Sequence, residues 1–292
     1  MNVDFEITCP LCKCPRSKRL FNKNGYFLVS CGYCGHVYVP IKPENNFFEK
    51  LYSKEYFSDE KTSGYGDYFA EKRAIELTAK SRLKRLDAFK IKSRRLLEIG
   101  CGTGFFLNVA KDSFHVTGVE LSDFAALYAK KYFNLNVYQG TLDKASFTFS
   151  SFDVVVIWDV IEHIVDPIGL ITEIKKILCP KGLLVFTTPN TSSFLCRLQN
   201  KSWRLFDPPY HLNYFSRKNA VKMLDSIGFK VLKIESTWEW HSFGYLFHAL
   251  WVYHNKKLFR GLGKFLRKSR LGKINIPLNL FDIMTIYAIK EA

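Results

Sequence analysis

The sequence predicts an α/β protein: an open, mostly parallel sheet wound with helices, preceded by a small cysteine-rich ribbon. Three observations predict it. RRLLEIGCGTGFFLNVAKD is a short apolar run, a glycine turn and then a helical repeat. HVTGVELSD supplies a second apolar run ending in Glu120, twenty residues after Gly100. Ahead of both, two C-x2-C pairs, CPLC and CGYC, stand eighteen residues apart.

Composition sets the limits. A chain of 292 residues allows one sizeable domain and a small satellite. A hydrophobic fraction of 47% is ample for a packed core, which excludes global disorder. Lys and Arg outnumber Asp and Glu by 43 to 27, a formal charge of +16. That excess attracts anionic partners (nucleic acid, an acidic membrane surface, a phosphorylated substrate) without choosing among them. MNVDFEITCP lacks the pattern of a signal peptide, and no apolar run approaches the roughly 20 residues of a spanning helix. The expectation is a cytoplasmic protein, soluble or peripheral at the inner face of the membrane, with its eight cysteines reduced.

Residues 1–45 are expected to form a zinc ribbon. Cys9, Cys12, Cys31 and Cys34 can turn four thiolates toward one Zn2+, a closed tetrahedral site with a structural rather than chemical task. GYFLVS and HVYVP are expected as its strands, and Gly32 and Gly35 as its tight turns. The bland alternative is four buried thiols. Cys14 and His36 lie close by and are not expected to bind.

In residues 46–292, a charged helical stretch, about 68–90, leads into the strand Leu96–Ile99. Gly100, Cys101, Gly102, Thr103 and Gly104 make a G-x-G-x-G turn, and a helix starts at Phe105. This is the start of a Rossmann-like sheet, whose glycines admit a ligand at the helix N-terminus. Glu120, ending the second strand, can accept hydrogen bonds from both hydroxyls of a ribose. That geometry suits NAD as well as S-adenosylmethionine. Dinucleotide folds use G-x-G-x-x-G, whereas here the third glycine comes one residue early.

With these motifs in order, the chain resembles the class I S-adenosylmethionine-dependent methyltransferases over about residues 50–292. LLEIGCGTG matches the glycine motif, GVELS the ribose-binding acid, and QGTLDK the adenine-contacting turn after strand three. FDVVVIWDVIEHIVDP matches strand four, and LCPKGLLVFTTPN strand five. IEHIVDP and PYHLNYFS are most similar to the subgroup of ubiquinone-biosynthesis O-methyltransferases and sugar or polysaccharide methyltransferases, some of which carry a ribbon in front. The resemblance implies a seven-stranded sheet with an antiparallel last strand, and S-adenosylmethionine as cofactor. It also implies that Glu98, Gly100 and Gly102 line the methionine end and that Glu120, followed by Leu121, holds the ribose. Thr141 and Leu142 would flank the adenine, and Trp158 with Asp159 would close the pocket. The bland alternatives are a capping acid at Glu98 and ordinary packing at Leu142 and Trp158.

Residues 207–210, DPPY, match the signature of enzymes that methylate exocyclic amines of nucleic-acid bases. In those enzymes the tetrapeptide directly follows strand four. Here that place holds IWDVIEH, and DPPY comes about fifty residues later, so the match is read as a decoy. The loop that contains it, about 200–216, is expected to overhang the cofactor pocket with His211 and Tyr214 facing the substrate.

Methyl transfer to an alcohol or phenol benefits from a base as the bond forms. The candidates are His211, His163 and Asp159; the bland reading of a lone His is structural. The insert at about 240–277 starts apolar and turns basic, with no Asp or Glu from Trp240 to Leu280. It fits either a membrane- or phosphate-binding arm or a solvated hairpin packed on the core or on a dimer partner. The basic cluster Lys80–Arg95 is expected as a solvated helix face. The expected function is O-methylation of a sugar, glycan, lipid-linked or other small acceptor. The alternatives are an RNA methyltransferase gripping its substrate through ribbon and charge, and a non-catalytic cofactor-binding assembly protein.

Overall fold

Strands rich in β-branched residues, buried on both faces, build the main sheet of the structure, a computed structural model that describes residues 2–4, 7–43, 47–58, 68–247 and 269–291. The N-terminal part contributes β1 (Asn2–Asp4), β2 (Arg16–Lys23), β3 (Tyr26–Cys31) and β4 (Val37–Tyr38), then α1 (Phe47–Leu51), α2 (Lys54–Ser58) and α3 (Lys72–Leu86). The alternating region holds β5 (Arg95–Ile99), α4 (Phe105–Ala110), β6 (His115–Glu120), α5 (Asp123–Phe133), β7 (Val137–Gln139), β8 (Phe152–Ile157), α6 (Pro167–Ile177) and β9 (Leu178–Pro189). The remainder holds α7 (Phe194–Gln199), β10 (Asn213–Tyr214), α8 (Arg217–Ile227), β11 (Phe229–Ser236), β12 (Glu239–Ser242), β13 (Asn275–Leu278) and β14 (Ile283–Lys290).

The sheet order is β11-β14-β9-β8-β5-β6-β7, with β14 antiparallel to both neighbours. This is the predicted seven-stranded sheet. Adjacent residues of one strand face opposite layers. Leu97, Val155 and Ile157 meet Ile171 and Ile174 of α6 and Met223 and Leu224 of α8. Leu96, Val154 and Val156 join Leu86 of α3, Phe106 of α4 and Ala129 of α5. Such double burial explains runs like VVVI in β8. From β5 the chain winds outward to β6 and β7, then returns to β8 and β9 on the other side. That reversal opens a crevice beyond the carboxyl ends of β5 and β8, where ligands bind in such sheets.

The cysteine pairs belong to a second, antiparallel sheet, ordered β1-β2-β3-β4-β10, with Cys31 ending β3 and Cys9, Cys12 and Cys34 in the connections between strands. Its last strand comes from the loop expected over the pocket: Asn213 pairs with Tyr38, and Tyr214 with Val37. Trp203, Leu205, Phe206 and Tyr214 from that loop pack with Leu28 and Val39 of the ribbon. β12 and β13 pair at the base of the 240–277 insert, while residues 248–268, with most of its basic run, lie outside the described residues. Among the described residues no helix is long and apolar enough to cross a membrane.

Candidate active site

The glycine turn is built from three glycines with different tasks. All three have positive φ. A Cβ on Gly100 would stand 2.5 Å from Val160, and one on Gly104 2.6 Å from Leu135, so these two admit neighbouring side chains. Over Gly102 only the Tyr68 hydroxyl comes within 4 Å, at 3.4 Å. Gly102 is therefore the glycine that leaves room for a ligand. Its amide donates to Glu120 Oε2 at 2.7 Å, and the Ser122 amide donates to Oε1 at 2.8 Å, which fixes the carboxylate at the end of β6. Cys101 turns inward, its Sγ filling the space that Gly118 leaves bare.

Beside this turn lies a cavity of about 1200 Å³. Every residue predicted from the sequence for cofactor or catalysis lines it: Glu98, Gly100, Gly102, Glu120, Leu121, Thr141, Leu142, Trp158, Asp159, His163 and His211. Glu98 is 3% exposed, and its Oε2 finds no hydrogen-bond partner among the described residues; Trp158 Nε1 is likewise unpaired. Burial holds the Glu98 carboxyl well above the usual carboxylate range and raises Glu120 too, with the two amide hydrogen bonds opposing the rise at Glu120. Orphaned polar atoms on a cavity wall, beside a glycine that leaves open space, fit a ligand with amino and hydroxyl groups, as S-adenosylmethionine has.

Two histidines line the same cavity. The rings of His163 and His211 meet edge to face with centroids 4.8 Å apart. His163 Nδ1 lies 2.7 Å from the Tyr210 carbonyl and 2.9 Å from the Tyr52 hydroxyl; His211 Nδ1 lies 2.8 Å from the Leu205 carbonyl. A carbonyl only accepts, so each Nδ1 carries the proton and each Nε2 keeps its lone pair. Burial pushes His163 down to about 3 and His211 to about 4, so both are neutral. Glu162, between Asp159 and these rings in sequence, is 1% exposed, and burial followed by the Asp159 charge pushes its carboxyl well up.

Several expectations change. Tyr214 does not face the cavity: it is 1% exposed, and its hydroxyl donates to the His211 carbonyl. Packing against the ribbon turns it inward. The Lys80–Arg95 cluster is not a wholly solvated face. Arg82 lies over the Trp158 ring at 4.4 Å and pairs with Asp159 at 3.2 Å and Glu239 at 2.9 Å; Arg85 pairs with Glu235. Arg82, Glu239 and His241 line the cavity without any sequence motif to mark them. In DPPY, the Asp207 carbonyl accepts from the His211 amide, the Pro208 carbonyl from Asn24, and the Tyr210 carbonyl from His163. Three of the four backbone carbonyls of the tetrapeptide are thus engaged within the protein.

In the ribbon, one sulfur from each of Cys9, Cys12, Cys31 and Cys34 lies within 4.8 Å of the others. Cys9 and Cys34 are 3.6 Å apart, and Cys12 and Cys31 3.5 Å. The hydrogen bond between the first pair holds the Cys9 proton well above the thiol range and pulls Cys34 down to about 5. Four sulfurs gathered at this spacing are a donor set for one tetrahedral zinc. His36 is turned away, its Nε2 2.9 Å from Asn213 Oδ1.

Residues 69–234, more than half of the chain, match a family model described as a methyltransferase domain. The chain belongs to the class I S-adenosylmethionine-dependent methyltransferase family. A relative from Mycolicibacterium smegmatis is 27% identical over 146 residues, 49% of this chain and 55% of that protein. A ubiquinone biosynthesis O-methyltransferase from Histophilus somni is 29% identical over 108 residues, 33% of this chain and 45% of that protein. The chain thus spans about half the length of these relatives. Among solved structures, an S-adenosylmethionine-dependent methyltransferase from Thermotoga maritima shares the fold with a TM-score of 0.51 and 22% identity, over 77% of this chain and 93% of that one.

Proposed function

We propose that this protein transfers a methyl group from S-adenosylmethionine to a hydroxyl oxygen of a small acceptor, in the class of sugars, glycans or lipid-linked intermediates. One observation carries the reading. A single cavity runs from the glycine turn to two neutral imidazoles, each oriented by a backbone carbonyl at its Nδ1. When bound, the cofactor supplies a methyl group on a sulfonium, whose leaving sulfur needs no acid. Glu120 is assigned to the ribose hydroxyls, with Leu121 beside it. Glu98, Gly100 and Gly102 are assigned to the methionine end, Thr141 and Leu142 to the adenine, and Trp158 with Asp159 to the wall between cofactor and acceptor. The protein's main task is alignment. His163 and His211, with Asp159 behind them, are assigned to the acceptor oxygen and its departing proton. Residues 1–45 are assigned to a ribbon held by one structural zinc ion, which braces the loop at 200–216 against the domain formed by 46–292.

The test is to add the purified protein and methyl-labelled S-adenosylmethionine to a lysate of its source, then fractionate. Label in small-molecule, glycan or lipid fractions, in base-stable ether linkage, is the expected result. Label in nuclease-sensitive RNA would replace the acceptor class, and no label in any fraction would overturn the activity.

A further inference from the structure

We propose that Glu239 and His241 of β12, with the Arg82–Asp159 pair, form the recognition site for the acceptor, and that it takes an uncharged, polyhydroxylated group of the sugar-ring type rather than a phosphorylated one. All four residues line the cavity, and they come from three separate elements: α3, the segment after β8, and β12. Alternate residues of a strand share a face, so Glu239 and His241 point the same way. The residues between and beyond them tie the strand down. The Trp240 amide donates to Thr78 Oγ1 at 2.9 Å, and the Ser242 amide and hydroxyl donate to the Glu71 carboxylate at 3.1 and 2.6 Å. β12 is thereby held against α3 with 239 and 241 on the cavity wall.

The hydrogen bonding leaves a place for a hydroxyl. Arg82 Nη2 donates to Glu239 Oε1 at 2.9 Å and to Asp159 Oδ2 at 3.2 Å. The other Glu239 oxygen, Oε2, stands 3.7 Å from His241 Nε2, too far for a direct hydrogen bond. One oxygen at about 2.8 Å from both atoms would bond to each. A hydroxyl suits that gap because it donates and accepts at once. His241 is stacked on Tyr245 with ring centroids 4.9 Å apart, and Arg82 lies over Trp158, so these groups are ordered before an acceptor arrives.

The charge of the wall selects against anions. The chain carries +16, yet Arg82 and Arg204 are the only Lys or Arg side chains on the described cavity wall. Each is paired with a carboxylate, Arg204 with Asp282 at 3.3 Å. Acidic residues outnumber them there, Asp159, Glu162, Asp166, Glu173 and Asp207 among them. A phosphate would meet this field unfavourably. An amine gains little at Glu239, because burial and the Asp159 charge, opposed by Arg82, raise that carboxyl to about 7. A site built to hydrogen-bond hydroxyls rejects an analogue without them far more sharply than an apolar pocket can. This deepens the reading above and rests on it for methyl transfer to oxygen alone.

The test is saturation-transfer difference NMR on the full chain, saturated with S-adenosylhomocysteine, against a panel of neutral methyl glycosides, the corresponding sugar phosphates and amino sugars. At least one neutral glycoside should bind. Its affinity should fall at least tenfold in Glu239→Gln, whose amide oxygen can still accept from Arg82, and in His241→Gln, with S-adenosylhomocysteine affinity unchanged in both. Glu235→Gln, which alters the Arg85 partner away from the cavity wall, should bind the glycoside as the parent does. Tighter binding of the phosphates or amino sugars, no binding of any glycoside, unchanged binding in both variants, or an equal loss in Glu235→Gln overturns the proposal. Glycoside binding in a chain that transfers no label to oxygen leaves this site standing and sinks the function proposed above; transfer to an acceptor hydroxyl at the parent rate in both variants does the reverse.

Discussion

Replacing Glu120 with Ala separates what this carboxylate does for the fold from what it is proposed to do for the cofactor. In the folded chain it accepts two backbone hydrogen bonds, from Gly102 and Ser122, at 2.7 and 2.8 Å. Ala leaves both amides unpaired, at about 1–3 kcal/mol each where water cannot reach them. Gly102 borders the cavity, so water can replace one bond, and the expected net loss is about 2 kcal/mol. For a chain of this size that lowers Tm by roughly 4–8 °C. The cofactor loses more. Two ribose hydroxyls donating to a buried carboxylate are worth about 1.5 kcal/mol each at the low end, together about 3 kcal/mol, or roughly a hundredfold in Kd. Isothermal titration calorimetry with S-adenosylhomocysteine, below the variant's own Tm, reads the second effect without the first. An affinity within threefold of the parent's, in a protein that has lost stability as expected, would refute the ribose assignment and leave Glu120 as a structural acceptor only.

Three other outcomes follow from the same geometry. Metal analysis should find about one zinc per chain by the ligand count of a four-thiolate site, and Cys31→Ser should abolish it and lower turnover; a fully folded, metal-free parent would reject the ribbon site. Gly104→Ala should cost about 2–4 kcal/mol, since its Cβ would lie 2.6 Å from Leu135 at φ +82, whereas Gly102→Ala should cost about 1 kcal/mol but weaken nucleoside binding at least tenfold; thermal melts and calorimetry distinguish them, and equal behaviour would contradict the division of labour among the glycines. Burial, helped by Arg204 and Arg82 and opposed by Asp159, lowers His241 to about 4, so the unfolded chain binds this proton more readily than the native one. That contribution is present above about pH 6.5 and is lost as pH falls toward 4, about 2 kcal/mol between pH 7 and pH 5; urea melts at the two pH values should show a smaller loss in His241→Phe, and an equal loss would refute it.

The sequence disclosed the parts whose chemistry is local. A strand, a glycine turn and a helix are contiguous, and so is an acid at the end of the next strand, so the place of Glu98, Gly102 and Glu120 on one cavity wall was legible from the sequence. The cysteine pairs announce themselves by spacing. What stayed hidden depends on distant pairing. Arg82 meets Glu239 across 157 residues, and on a basic helix nothing distinguishes it from its solvated neighbours. Glu162 lay inside a quoted motif, yet its near-complete burial on the cavity wall exists only in the packed molecule. Tyr214 was misplaced because β10 is two residues long and belongs to a sheet whose other strands end at Tyr38.

That last pairing ties the ribbon to the chemistry. The imidazoles owe their tautomers to carbonyls at 205 and 210, so whatever fixes this loop fixes the lone pairs. The ribbon does so at several points. Lys23 Nζ donates to the Trp203 carbonyl at 2.8 Å, Asn24 to the Pro208 carbonyl at 2.9 Å, and His36 to Asn213, whose own amide reaches the Ile164 carbonyl just beyond His163. Loops are ordinarily the mobile part of such sites, and moving this one by an ångström would release both histidines. A ribbon none of whose described residues lines the cavity can thus control the acceptor end through backbone geometry alone. On this account, removing a metal held by the four cysteines should reduce turnover well before it reduces nucleoside affinity, because the glycine turn and Glu120 are held by the main sheet instead.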